Sequence, residues 1–338
     1  MTVSDDRDRG LMEGIAVGNL LGIAMEGMPK DEVRRRYPNG VTEIEARVGY
    51  PDDDDLAQAI IIAEASAAGP LDVDDLGARF WAWGEENGLG MGLLTHDVLT
   101  RYGGALPRCL GRAGGGDARP PAGMPILEAS REAWGGNRAG NGALMRCAPI
   151  AVRWRDDPAA NARNSVVSAV PTHWDPRCGW SCALLDLAAA AALRGDTLGA
   201  DELMAQAESA LGASTGELSR YGYDAVMPEE VRAAVQRAAA ESLSDLEIDG
   251  GDSGYTLVTL RTALTAWWTA ESFDEGLRAI VEAGGDTDTN GTAAGALLGA
   301  RFGLQGIPSR WRDDAARLRA GRQTMASVAD MLASARGG

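Results

Sequence analysis

Lysine is nearly absent from this 338-residue chain: Lys30 is the only one, and His96 and His173 are the only histidines. One lysine leaves little room for covalent catalysis through an amine, and two histidines cannot by themselves build a multi-histidine metal site. The four cysteines, Cys109, Cys147, Cys178 and Cys182, contain no CxxC pair. Cys178 and Cys182 share a helix face, a spacing typical of two buried small residues more than of a ligand pair or a disulfide. No run of 18 apolar residues occurs and the N-terminus (MTVSDDRDRG) has no apolar signal core, which predicts a cytoplasmic protein with no membrane partner. Positive charge is scarce as well: 32 Lys and Arg face 49 Asp and Glu, giving −17, a field that repels nucleic acid and anionic membrane. An anionic substrate would need a local positive centre, such as a bound metal. Sustained strand alternation, linkers and internal repeats are also missing, so the expectation is an all-α fold with one domain at 10–335 behind a flexible 1–9. An apolar content of 45% supports an ordinary core.

What is present in excess is glycine and clustered acid. The stretch GGDTDTNGTAAGALLGARFG (284–303) places Asp286, Asp288 and Thr289 at the start of a helix whose Gly291, Gly295, Gly299 and Gly303 recur every fourth residue. Crowded oxygen donors suit a hard cation, Mg²⁺ or Mn²⁺, better than zinc; an acidic cap favoured by the helix dipole is the plainer alternative. Near the N-terminus, residues 10–28 show helical spacing with a second glycine row, Gly14, Gly18 and Gly22, which Glu26 continues. Glycine costs a helix about 1 kcal/mol relative to alanine, so two such rows call for close backbone approach. The two helices are expected to pack together and carry Glu26 to the acidic stretch, with a solvated helix-end charge as the equal alternative for Glu26. A second acidic cluster, Asp52, Asp53, Asp54 and Asp55 after Pro51, opens an apolar helix and holds more carboxylates than capping needs.

Other segments read as scaffold or loop. Residues 30–50 are polar with a Pro-Asn-Gly turn; Phe80, Trp81 and Trp83 mark a core helix; 111–125 is a Gly/Pro/Arg-rich loop without phosphate-loop chemistry. Asn141 reads as the cap of a helix carrying Arg146, and both could address a ribose or phosphate. The turn at 171–177 (PTHWDPR) opens a buried apolar helix, and DGGDSGY (249–255) leads into another.

In this order, GIAVGNLLGIAMEG, PDDDD before an apolar helix, GNGALMR with AP, THWDP, GYTLVTLRTAL and GGDTDT with AGALLGA resemble the ADP-ribosylglycohydrolase family, which includes dinitrogenase reductase-activating glycohydrolases and a crystallin branch. The resemblance implies a compact orthogonal helical bundle and a hydrolase with a two-ion Mg²⁺ centre, Mn²⁺ in some members, cleaving an N- or O-glycosidic bond to ADP-ribose or a related nucleotide or riboside. The implied partner is an ADP-ribosylated protein or small-molecule ADP-ribosyl or ribosyl substrate. Matched residue by residue, Asp52, Asp53, Asp286, Asp288 and Thr289 become metal ligands, Asp54 stands as an added oxygen donor where the family has Thr, and Glu26, Asp53 and Asp288 carry the catalysis. Asn141, Gly142, Met145, Arg146, His173, Gly254 and Tyr255 take substrate-pocket positions. Pro51 replaces a Thr whose hydroxyl is expected on a metal, and Asn19 replaces a common Asp, with helix contacts its expected role. Two other readings stay open: chemistry on another diphosphate or N-riboside in secondary metabolism, or a catalytically silent ADP-ribose-binding or structural protein.

Overall fold

The two glycine rows decide how closely the helices beside the site approach. The computed structural model describes residues 3–45, 53–104 and 123–336. The opening helix, Val3–Gly22, runs antiparallel to Thr287–Gly306. A Cβ on Gly10 would fall 2.4 Å from the Gly299 carbonyl oxygen, on Gly14 2.0 Å from that of Gly295, on Gly18 2.0 Å from that of Gly291, and on Gly22 2.3 Å from that of Thr287. Backbone therefore meets backbone along the whole seam, and dispersion and Cα–H···O contacts offset the helix-propensity cost of glycine. Gly10 extends the expected row by a turn. The helix also begins earlier than residue 10: Asp8, buried at 1% exposure, bonds Arg336 at 2.6 Å and Arg155 at 3.1 Å and so ties the first turns to the last helix, Met325–Ala335.

The far end of the opening helix differs from expectation too. It stops at Gly22, where the Thr287 hydroxyl donates to the Gly22 carbonyl at 2.8 Å and satisfies one of the orphaned terminal acceptors. Residues 23–27 then form a turn stitched to the acidic stretch: Gly27 N–H donates to the Gly285 carbonyl at 2.8 Å and Gly285 N–H to the Met28 carbonyl at 2.9 Å. Gly284 and Gly285 have φ of +77° and +78°, and a Cβ on either would strike backbone of Met28 or Ile248, so only glycine fits. Glu26 thus rides on a turn and not on the helical seam.

Around this pair the remaining helices share one continuous apolar core. Pro176–Arg194 is buried at every position from Cys178 to Leu193; the Asp175 side chain accepts from Arg177 N–H at its start and left-handed Gly195 ends it. Helix Asp54–Ala68 buries Asp55, Ala59, Ile62 and Ser66 on one face. The polar stretch after Pro29 contains a short helix, Lys30–Arg36, with acids in its first turn and three arginines in its last, matching the helix dipole. Cys147, Cys178 and Cys182 are free and buried. Among the described residues extended pairing is limited to two isolated bridges, Pro29 with Gly284 and Gly140 with Tyr255, and no helix is long and apolar enough to cross a membrane. The architecture is all-α. Pro51, Asp52, Cys109 and most of the 111–125 loop lie outside the described residues.

Candidate metal centre and cleft

Two chain segments converge on one buried cluster of three carboxylates. Asp53 caps the Asp54–Ala68 helix in extended conformation, Asp55 lies in that helix's first turn, and Asp288 lies in the first turn of Thr287–Gly306. One carboxylate oxygen of each lies within 4.8 Å of the others, and the residues are 3%, 2% and 6% exposed. Burial first, and then the neighbouring acids, push Asp55 and Asp288 well above the ordinary carboxylate range: Asp53 leads for Asp55, and Asp286 followed by Glu26 for Asp288. The arrangement stores repulsion that a divalent cation relieves, and hard oxygen donors at this spacing fit one.

Two members of the cluster, Asp55 and Asp288, line a cleft of about 380 Å³. Glu26, Asp54, Asp286 and Thr289 join Asp55 and Asp288 on its lining, and Gly90, Gly92, Gly140, Gly142 and Gly254 form much of the rest. Glycine walls let a ligand reach backbone N–H groups, and the described lining carries no lysine or arginine. The Asn141 amide donates to Asp286 Oδ2 at 2.8 Å and to Thr259 Oγ1 at 3.0 Å, while Asn141 N–H bonds the Gly254 carbonyl at 3.1 Å. Asn141 therefore joins the acidic stretch to the glycine loop; its side chain caps no helix. A wider hollow of about 530 Å³ beside Lys30, Glu247 and Asp252 has none of these buried acids.

The family profile described as ADP-ribosylglycohydrolase matches residues 2–338. The chain belongs to the ADP-ribosylglycohydrolase family. As a member it is a hydrolase. It is 27% identical over 312 residues to the ADP-ribosyl-[dinitrogen reductase] glycohydrolase of Rhodospirillum rubrum, spanning 90% of this chain and 89% of that protein. It is 24% identical over 316 residues to the ADP-ribosylarginine hydrolase Tri1 of Serratia proteamaculans (strain 568), spanning 91% of this chain and 75% of that one. A solved structure described as an ADP-ribosylglycohydrolase-related protein complex superposes with a TM-score of 0.69 at 27% identity, covering 99% of this chain and 100% of its own.

Against that family pattern the enzyme shows three changes of placement. Asp55, absent from the ligand set the resemblance implies, belongs to the buried triad, whereas Asp54 lines the cleft beside it: burial and then Asp53 raise its pKa, and its carboxylate accepts from Gly92 N–H close to Gly90. Successive residues of a helix point about 100° apart, so a first turn that directs Asp55 inward directs Asp54 sideways. The apolar row offered the signal: stepping back from Ile62 and Ala59 lands on Asp55. Arg146 is the second change, since at 0% exposure it lies beneath the cleft wall. It bonds Gln58 Oε1, the Ser168 carbonyl at 2.9 Å and Thr172 Oγ1 at 2.7 Å, and stacks 4.2 Å from the Phe80 ring centre, so its guanidinium is turned to protein partners and not to the cleft. Third, Asn19 does more than pack helices: its amide donates to Asp53 Oδ1 at 2.9 Å.

The other expected pocket residues lie along one wall. Gly142, Met145, His173 and Gly254 line the cleft with Asn141, and Thr95, Leu93 and Leu94 face them from the Leu93–Gly103 helix. Tyr255 stands just behind Gly254, its hydroxyl accepting from Arg177 at 3.0 Å, while Asp175 holds Arg177 at 2.7 Å.

Proposed function

We propose that this enzyme hydrolyses the glycosidic bond joining ADP-ribose, or a closely related nucleotide or riboside, to its carrier, using divalent cations held by Asp53, Asp55 and Asp288. The buried carboxylate triad, opening onto a glycine-lined cleft through Asp55 and Asp288, is the observation that carries this reading. The relatives named for ADP-ribosylarginine and ADP-ribosylated dinitrogen reductase support an ADP-ribosylated protein as substrate, with a guanidinium nitrogen at the scissile bond. Asp286 and Thr289 extend the oxygen donor set towards a second ion, and Mg²⁺ suits the donors, with Mn²⁺ the alternative. Such ions supply Lewis-acid polarisation of the substrate's oxygens and offset the anionic field of the chain.

The protein's own groups do the rest. Glu26, exposed at the cleft, can exchange protons with solvent and serves as general base and acid at its carboxylate. Unligated oxygens of the cluster stabilise positive charge as the sugar becomes oxocarbenium-like. Asn141 fixes Asp286, and the backbone of Gly140, Gly142 and Gly254 accepts the ribose and diphosphate side. The deciding experiment is a hydrolysis screen over ADP-ribosyl-arginine, ADP-ribosyl-serine and small N-ribosides, run in parallel with Mg²⁺, Mn²⁺ and chelator. Metal-dependent release of ADP-ribose that disappears in folded Asp288→Ala protein is the expected result. Cleavage that survives chelator would sink the reading, and thermal stabilisation by ADP-ribose with no turnover on any linkage would replace it by a silent binding role.

A further inference from the structure

Arg146, removed from the cleft by burial, is joined to it through two side chains. Its Nη2 donates to Thr172 Oγ1 at 2.7 Å, and the same oxygen lies 2.8 Å from His173 Nδ1. A guanidinium has donors only, so on that side the hydroxyl accepts. Thr172 is 0% exposed, and among the described residues His173 Nδ1 is the atom placed to take its proton. We propose that Arg146 and Thr172 are positioning residues that hold His173 in its Nε2–H tautomer, so that the ring presents a neutral hydrogen-bond donor to an acceptor oxygen of the ligand.

The opposite tautomer would point two donors at one hydroxyl and leave a buried proton with no acceptor, which is strongly disfavoured. Arg146 cannot swing away, because Gln58, the Ser168 carbonyl and the Phe80 face hold it on its other sides. The Nε2 edge of the ring faces Gly140 and Gly142: a Cβ on Gly142 would come within 3.1 Å of Nε2, so glycine there leaves the edge open to the cleft. Burial, and then the charges of Arg146 and Arg138, push the His173 pKa down to about 3, so the ring stays neutral throughout the working range. Gln58 lies one turn into the helix whose N-terminus carries Asp53 and Asp55, so one cation links the acidic cluster to the histidine wall.

The tautomer assignment is independent of the proposed reaction; its effect on the ligand rests on that reading. With only two histidines in the chain, full-length protein labelled with ¹⁵N-histidine gives two imidazoles, and His96→Asn assigns them. Long-range ¹⁵N–¹H correlations between pH 6 and 8 should show His173 protonated at Nε2 and bare at Nδ1. Thr172→Val should lose that pattern and Thr172→Ser restore it. ADP-ribose affinity measured by calorimetry with Mg²⁺ should fall about tenfold in Thr172→Val, the worth of one neutral hydrogen bond, and return in Thr172→Ser. An Nδ1–H signal for His173 in the unmodified protein overturns the assignment whatever the activity. The expected tautomer combined with unchanged ADP-ribose affinity in Thr172→Val overturns its role towards the ligand. Failure of the unmodified protein to bind ADP-ribose at all would overturn that ligand role together with the hydrolase reading, with the tautomer still decided by the spectrum.

Discussion

Neighbouring aspartates with the same chemistry are given different work by a single step of helix rotation. Asp55 belongs to the carboxylate triad and Asp54 to the wall and its loop. Asp55→Asn should therefore abolish most of the rise in melting temperature produced by Mg²⁺ and cut turnover by at least about a hundredfold, beyond what outer-shell changes around metals cost. Asp54→Asn should keep the Mg²⁺ shift, since an amide oxygen still accepts from Gly92 N–H; thermal shift with and without chelator checks both. A separate buried acid, Asp186, lies in the middle of Pro176–Arg194, with Ser165 Oγ donating to it at 2.6 Å, and burial raises its pKa from 3.8 to about 7. Between those values the folded chain holds a proton that the unfolded chain releases. Its contribution is therefore fully present below about pH 4 and declines as pH rises to about 7, by up to about 1.4 kcal/mol per pH unit. Asp186→Asn should gain stability over the parent progressively across that window and keep a constant advantage above it, as urea unfolding at several pH values would show.

At the level of elements, the antiparallel glycine seam sets the position of both sides of the site. Thr287 and Gly22 close its end, and the turn carrying Glu26 and the stretch carrying Asp288 leave from that point. Gly14→Ala places a methyl 2.0 Å from the Gly295 carbonyl oxygen, where neither backbone can yield without moving its whole helix. The expected loss is about 3 kcal/mol, at the upper end for overpacking, and activity should fall further than stability because the separation of Glu26 and Asp288 changes. Gly216→Ala, at a helix position with open space, is the control that should change little. The seam was legible in the sequence because a repeat of four glycines has few other physical uses. The place where the first helix ends was not, since Gly22 is capped by a hydroxyl 265 positions away.

For the whole molecule, the net charge of −17 and the acid-lined cleft shape both binding and stability. An ADP-ribosyl substrate is itself anionic, so its approach is opposed at long range and that opposition is screened within about 8 to 10 Å at physiological salt. Raising NaCl from about 10 to 150 mM at fixed Mg²⁺ should thus lower KM, the reverse of what a basic nucleic-acid binder shows; initial-rate measurements across the series decide it. Mg²⁺ bound only by the folded chain should stabilise it by about 2.7 kcal/mol at a hundredfold excess over Kd, with the shift lost on chelation.

Much is legible before any packing is considered: an all-helical chain, two glycine rows that must meet, two acidic runs at helix starts, and too few histidines or lysines for other centres. Those follow from residue type and local period, which the chain fixes without reference to its distant parts. Packing was needed to settle which of Asp53, Asp54 and Asp55 join the cluster, that Glu26 arrives on a turn, that Asn19 and Asn141 hold carboxylates, and that Arg146 lies beneath the wall. Each of these depends on the direction in which a side chain points once elements far apart in sequence have packed. A rotation of about 100° per residue makes that direction invisible until the helix has a neighbour.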